Sequence, residues 1–346
     1  MDSILTDASL QRTIRLAGAR RPQGKAIVSS FRFSVAERRF PTCQGVDIRC
    51  GARRNSCMRW SLILIPALLT ATACSSNAGL IDRQAHAAGL SRSVVQGQPY
   101  RHVVYANRIA AGAPGDWGDR LVVFLDGDGR PWSDDGQRPS ADPTTGNPIA
   151  LKLLEQTPVP AIYVSRPCYQ ELADAGCSPE IWTSRRYSSR VVRSIAAAIR
   201  ATAQSAGLHK LVLVGYSGGG ALAVLVAERI DNVAAVVTLS ANLDIDAWTA
   251  HHGYLPLTGS LNPAASDRRH PWPEIHLQGT LDTVVPPSTT SVYFKHHPAA
   301  QAWPFKDYDH VCCWVDAWPG AFGRIRDTLE NPSLSATAQG PQPSSK

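Results

Sequence analysis

The sequence predicts an α/β protein built on a mainly parallel, doubly wound sheet with helices on both faces. Three observations carry this. Short continuous apolar runs, among them Leu121–Leu125, Leu211–Val214 and Val233–Leu239, have the texture of strands buried on both faces. Residues with helical spacing lie between such runs, as in Val191, Val192, Ile195, Ala198 and Ile199. Strand and helix alternate along the chain, an order that implies crossover connections and parallel strands. With 346 residues, 44% hydrophobic and 18% charged, the chain is long enough to bury a large core.

The body is expected to start near Tyr100. His102–Tyr105 is a short strand and Leu121–Leu125 a buried one, followed by Asp126-Gly127-Asp128-Gly129. Residues 130–147 carry Pro, Gly, Asp and Ser and read as a long loop before a helix over Ile149–Gln156 and a strand over Ala161–Val164. A polar loop with Cys168, Cys177 and Trp182 leads to a helix over Ser188–Ala206. In Lys210–Ile230 the apolar run ends at Gly215-Tyr216-Ser217-Gly218-Gly219-Gly220. After it Ala221, Leu222, Val224, Leu225 and Ala227 recur at helical spacing, so a few residues must turn a strand into a helix. The strand Val233–Leu239 follows, then a loop-rich stretch over Ser240–Pro273, too short for a large cap domain, and a strand over Ile275–Leu277 reaching Gly279. A helix over Ser288–His297, a short strand over Ala302–Phe305 and a helix over Val311–Leu329, interrupted near Pro319, complete the body. The tail 331–346, rich in Pro, Ser and Gln, is expected to be disordered. There is no visible internal repeat.

The formal charge of +7 invites a nucleic-acid reading, and its distribution removes it. Residues 1–73 hold 12 Lys+Arg against 4 Asp+Glu, leaving 23 against 24 for residues 74–346. The body is close to neutral, and no nucleic-acid partner is expected of it. From Met58 the chain has the layout of a signal peptide over 58–73: Arg59, the apolar run Leu62–Leu69, and small residues Ala71-Thr72-Ala73 before Cys74. The apolar run is shorter than the about 20 residues a membrane span needs. Its ending resembles the lipobox of bacterial lipoproteins, with Ala71 where leucine is usual. That resemblance implies cleavage before Cys74, lipidation of Cys74 and a lipid anchor in the cell envelope, facing the outer membrane or periplasm, and Ser75 fits outer-membrane sorting. An ordinary signal peptide, giving a secreted or periplasmic protein, is the alternative. Residues 1–57 then read as a non-native or disordered leader ahead of the natural start at Met58, 74–99 as a tether and 100–330 as the folded domain.

In an exported protein Cys168, Cys177, Cys312 and Cys313 can be oxidised, and four cysteines allow three pairings. A bridge between Cys168 and Cys177 closes a small polar loop, a stabilisation of about 2.5 to 3 kcal/mol by the chain-entropy model, and is expected here. Adjacent Cys312 and Cys313 can join only through a strained ring, so bridge and free thiols both stay open. Neither C-x-x-C nor H-E-x-x-H occurs, and no metal or other cofactor is expected.

Gly215-Tyr216-Ser217-Gly218-Gly219 fits G-x-S-x-G, a sharp turn that lifts a serine hydroxyl above the sheet edge. The alternative reading is a glycine-rich turn with an ordinary serine. A serine is a weak nucleophile until a base takes its proton and a carboxylate orients that base. With groups in the order Ser, acid, His after the turn, the chain resembles the α/β-hydrolases over about Tyr100–Leu329. More narrowly, it is similar to a group of bacterial exported α/β-hydrolases through Arg166-Pro167-Cys168, Trp182-Thr183-Ser184 and Gly215–Gly220. The resemblance implies Ser217 as nucleophile. It implies Asp282 as acid, in a loop just past a strand with Val285-Pro286 behind it, and His310 as base, between the last strand and the last helix. Asp244 and Asp246 compete with Asp282, and His251, His252, His296 and His297 with His310. The oxyanion donors implied are the backbone N–H of Gly218 and that of Asp128, although Asp126-Gly127 stands where many relatives have His-Gly. Read as a calcium loop, Asp126-Gly127-Asp128-Gly129 would need a ligand at Arg130 and glycine at Pro131, and it has neither.

The expected function is therefore that of a serine hydrolase, a carboxylic ester hydrolase acting on a small-molecule ester. A thioesterase, lipase or peptidase would use the same three residues, and a non-catalytic envelope-binding lipoprotein is the alternative of a different class. Trp132, Trp182, Tyr216, Trp248 and Trp314 are candidates either for an aromatic pocket or for simple core packing. The oligomeric state is not legible in the sequence.

Overall fold

The structure is a computed structural model that describes residues 76–110 and 117–331. The leader 1–57, the signal peptide 58–73, the lipidation site Cys74 and the tail beyond Asn331 lie outside the described residues. The first element is α1 (Asn77–Ala87), capped by the Ser76 hydroxyl, which accepts from the Gly79 N–H. It leads into β1 (Ser91–Gln96), which pairs antiparallel with β2 (Arg101–Ala106). The tether expected over 74–99 is thus corrected from Ser76 onward. Its sparse apolar residues are the ones that matter: Ile81 and Ala85 are buried on one side of α1, and β1 holds its place through main-chain pairing, which a largely exposed strand with only Val94 and Val95 apolar does not reveal.

The remaining strands are β3 (Arg120–Leu125), β4 (Ala161–Val164), β5 (Lys210–Tyr216), β6 (Val233–Leu239), β7 (Glu274–Gly279) and β8 (Gln301–Phe305). The sheet runs β1-β2-β4-β3-β5-β6-β7-β8. β2 is antiparallel to β4, and every pair from β4 to β8 is parallel. The connecting helices are α2 (Ile149–Glu155), α3 (Ser189–Ala206), α4 (Gly218–Ala227), α5 (Ile245–His252), α6 (Ser291–His296) and α7 (Trp314–Glu330).

Side-chain alternation divides the core in two. Leu121, Val123 and Leu125 of β3 and Leu211 and Leu213 of β5 pack with α3 and α4. Val122, Phe124, Val212 and Val214 pack with α1, α2 and α7 on the other face. Both faces are covered, which is why these strands read as unbroken apolar runs rather than alternating ones. α3 is framed as its sequence suggests, with the Ser188 hydroxyl accepting from the Val191 N–H and Gly207 in the left-handed conformation after its last residue.

Two further expectations change. α7 runs unbroken through Pro319, because Trp314, Trp318, Phe322 and Ile325 form one buried stripe whose packing outweighs the hydrogen bond that proline cannot make. Trp318 Nε1 also donates to Thr157 Oγ1 at 2.9 Å. The loop-rich segment between β6 and β7 contains α5 and a short 3-10 turn over Pro263–Ala265, and no cap domain. Cys168 and Cys177 are bridged, with Cα atoms 5.7 Å apart. Cys312 and Cys313, whose pairing the sequence leaves open, are joined to each other. Among the described residues no helix is long and apolar enough to cross a membrane.

Candidate active site

The site is built at the carboxyl ends of the parallel strands, starting with the turn between β5 and α4. Ser217 holds φ 54° and ψ −123°, a left-handed conformation that a residue with a Cβ adopts only when its surroundings impose it. The surroundings do impose it. The Ser217 N–H donates to the Leu239 carbonyl at 2.9 Å, and the Ser217 carbonyl accepts from the Gly220 and Asn242 N–H groups. Glycine is required at 219: a Cβ there would lie 2.1 Å from the Leu125 carbonyl oxygen and 2.5 Å from that of Asp126, both immovable backbone. Gly219→Ala is therefore expected to cost about 3 kcal/mol or more, read as a lowered thermal midpoint or loss of soluble protein. An unchanged midpoint would contradict this packing.

Two loops bring the partners of Ser217 to it. His310 Nε2 lies 3.0 Å from Ser217 Oγ. Its Nδ1 lies 2.9 Å from Asp282 Oδ2. A carboxylate only accepts, so Nδ1 carries the proton and Nε2 is left to accept from the serine hydroxyl. Asp282 follows β7, and its other oxygen, Oδ1, accepts from the Val284 and Val285 N–H groups at 2.9 and 2.8 Å, which fixes the carboxylate. His310, after β8, is held by its own carbonyl oxygen, which accepts from the Tyr216 hydroxyl at 2.9 Å and from Trp314 Nε1 at 3.1 Å. The residue before the serine therefore positions the histidine.

The competing residues have other work. Asp244 Oδ1 caps α5 by accepting from the Asp246 and Ala247 N–H groups, and Asn262 bridges both carboxylates. His252 Nε2 meets the Val284 carbonyl at 2.8 Å, and His296 Nδ1 meets that of Ala264 at 2.8 Å. His251 meets the His252 ring edge to face, and His297 stacks on His270.

The loop after β3 passes against the serine, and a Cβ on Gly127 would lie 3.4 Å from that of Ser217. The sequence points to the N–H of Asp128, and the structure adds a part for its side chain. Arg166 Nη2 and Arg186 Nη1 donate to its two oxygens at 2.7 Å each, and the Tyr187 hydroxyl sits 2.7 to 2.8 Å from both. Burial alone would raise this carboxyl. The two guanidiniums, Arg186 foremost, more than reverse that and hold it below the usual carboxylate range. The Tyr169 hydroxyl donates to the Asp128 carbonyl at 2.7 Å, and Arg166 Nε donates to the Gly127 carbonyl at 3.0 Å. The whole loop is thereby clamped. Among the described residues no acceptor meets the backbone N–H of Asp128 or of Gly218. Of this clamp the sequence marked only Arg166, within the Arg166-Pro167-Cys168 loop. Arg186 and Tyr187 carry no motif, and their partner is nearly 60 residues away.

Asp126 is also buried, its Oδ1 accepting from the Gly127 N–H at 2.9 Å. Burial pushes its carboxyl up to about 6, the Gly127 N–H opposing. An acid raised on folding costs nothing below its ordinary range, where it is neutral in both states, and its full cost appears above the folded value. Asp126→Asn is expected to stabilise the protein at pH 7 to 8 by up to about 3 kcal/mol, an advantage that fades below about pH 4. Thermal midpoints of both proteins across this range check it, and a pH-independent difference refutes it.

Above these residues opens a cavity of about 810 Å3. Ser217 and His310 line it, and so do Trp132, Tyr216 and Trp248 of the aromatic candidates. Trp182 and Trp314 belong to the core instead.

The model of the dienelactone hydrolase family matches residues 159–262, from the start of β4 past α5, and so includes Ser217 but neither Asp282 nor His310. Among solved structures, an esterase of Pyrococcus furiosus is similar at a TM-score of 0.51 and 12% identity, over 71% of this chain and 92% of that one. A puromycin-hydrolyzing peptidase of Mycobacterium tuberculosis is similar at a TM-score of 0.51 and 17% identity, over 73% of this chain but only 41% of the peptidase. No curated protein matches the chain in sequence. Sheet order, helix placement and these likenesses identify the α/β-hydrolase fold.

Proposed function

On this α/β-hydrolase fold, we propose a serine hydrolase that cleaves carboxylic esters through an acyl-enzyme. The observation that carries the reading is the unbroken hydrogen-bonded line from Ser217 Oγ through His310 to Asp282, at 3.0 and 2.9 Å, on the floor of an open cavity. Ser217 Oγ bonds to the ester carbonyl carbon while its proton passes to His310 Nε2. Asp282 stabilises the imidazolium through Nδ1–H. The negative charge that gathers on the carbonyl oxygen is received by the N–H groups of Gly218 and Asp128. Collapse breaks the carbon–oxygen bond to the alcohol, which leaves with the proton from Nε2. Water then attacks the acyl carbon, giving a proton to the same nitrogen, and the acid departs as Ser217 regains its hydrogen. No cofactor enters these steps.

The wall of the cavity favours a neutral substrate. Its charged groups include Arg186, already paired with Asp128, and much of the remaining lining is apolar or aromatic. Labelling with a fluorophosphonate tests the reading. Folded protein should take up one equivalent at Ser217, and folded protein that stays unlabelled would sink the proposal.

A further inference from the structure

Nine large apolar side chains are exposed on the described surface, and five of them, Trp132, Tyr254, Leu255, Val284 and Val311, line the mouth of the cavity. They come from four separate segments: the loop after β3, the exit of α5, and the loops after β7 and β8. Leu255 is 86% exposed, so folding gains almost nothing from it.

The backbone beneath this ring is braced. The Val284 carbonyl accepts from Trp248 Nε1 at 2.7 Å and meets His252 Nε2 at 2.8 Å. Tyr254 stacks on His252 with ring centres 5.1 Å apart and its N–H donates to the Thr249 carbonyl. Trp132 pairs with Pro139 across the 130–140 loop, and the Val311 N–H donates to Asp309 Oδ1. The segments that carry the apolar groups are thus tied down while the groups themselves stay in water.

The five side chains line the open mouth of the cavity and keep between 43% and 86% of their surface in water. A small ester seated at Ser217 leaves much of that surface wet. A substrate whose apolar mass continues from Ser217 beyond the mouth removes all five side chains from water, at a gain of roughly 25 cal/mol for each Å2 covered. We propose that the mouth docks on the surface of an aggregated ester lipid, from which one acyl chain enters the cavity toward Ser217. This rests on the serine hydrolase reading and gives it a substrate class.

The test follows the rate of the full chain on tributyrin as its concentration crosses the solubility limit. The rate is expected to rise at least about fivefold at that point, because docking recovers burial that dissolved ester cannot supply. The readout is the ratio of the two rates within each protein. Leu255→Ser and, separately, Val311→Ser should bring the ratio close to one, whereas Leu80→Ser, exposed but remote from the mouth, should keep it. Leu255 is too exposed for its replacement to threaten folding. Ser217-dependent hydrolysis of dissolved ester with no rise at the limit overturns the docking proposal and spares the hydrolase. A rise that survives both mouth variants, or is lost equally in Leu80→Ser, also overturns docking. So does a wild type that light scattering finds dimeric and that Leu255→Ser makes monomeric, since the ring would then serve a second copy. Absence of hydrolysis on dissolved and emulsified ester alike brings down both readings.

Discussion

Replacing Ser217 with alanine is expected to lower kcat/KM on a soluble ester by roughly 10⁴- to 10⁶-fold while leaving the protein folded. The size follows from the site's division of labour. On the proposed mechanism no acyl-enzyme forms without the hydroxyl, and His310 and Asp282 have nothing to activate except water that no group has placed. What survives is stabilisation of charge at the oxyanion and binding of the ester, which is why the loss is finite. The fold should not notice. The Ser217 side chain meets His310, and the turn is fixed instead by the backbone bonds of Ser217 and by the glycines around it. The thermal midpoint should shift by the equivalent of no more than about 0.5 kcal/mol. Ester hydrolysis that persists at the wild-type rate in purified Ser217→Ala would end the nucleophile assignment.

The second large effect concerns Asp128, whose backbone and side chain have separate tasks. Asp128→Ala keeps the backbone N–H and removes the carboxylate. That strands Arg166 and Arg186, both about 5% exposed, and leaves the Tyr187 hydroxyl without its acceptor. Breaking a buried ion pair from one side costs about 3 to 5 kcal/mol, more than the pair's own net worth, because the remaining charges cannot be rehydrated. The loop that carries the N–H then loses its clamp, and, if that N–H is the oxyanion donor we propose, its displacement costs about 10²- to 10³-fold in kcat. Stability and turnover should therefore fall together. In Ser217→Ala turnover falls alone. Asp128→Asn should rescue only part of this, since its amide nitrogen would face a guanidinium. The pH dependence has a definite sign. A carboxyl held below its ordinary range contributes stability that is complete above that range and is lost as the pH falls through the folded value. Acid melts of wild type and Asp128→Asn should converge only at low pH. Retention of both midpoint and turnover in Asp128→Ala would refute the clamp.

How much of this was legible beforehand depended on sequence distance. The turn at Ser217 could be read because its requirements are local: an apolar strand, two glycines where backbones touch, and a helical period after them. Asp282 and His310 could be placed because each follows a strand, where loops of a parallel sheet converge. Whether their side chains meet was beyond the pattern. The difference over 74–99, where α1 and β1 replace a tether, has the opposite origin. β1 joins the sheet through backbone hydrogen bonds, and its residues are largely exposed, so no apolar run announces it. At Pro319 a local rule gave way to tertiary packing, since the buried face of α7 outweighs one missing hydrogen bond.

By itself, then, the sequence determined the class of the fold, the strained turn, and the strand ends at which Asp282 and His310 lie. These rest on neighbours in the chain, whose sterics and periodicity travel with the residues themselves. Only the tertiary structure decided that Tyr216 holds the histidine loop across 94 residues, that two distant arginines clamp the loop at Asp128, and that four segments surround the cavity with exposed apolar groups. Charge pairing and burial depend on distances through space, and the intervening chain carries no trace of which polar residue will end beside which.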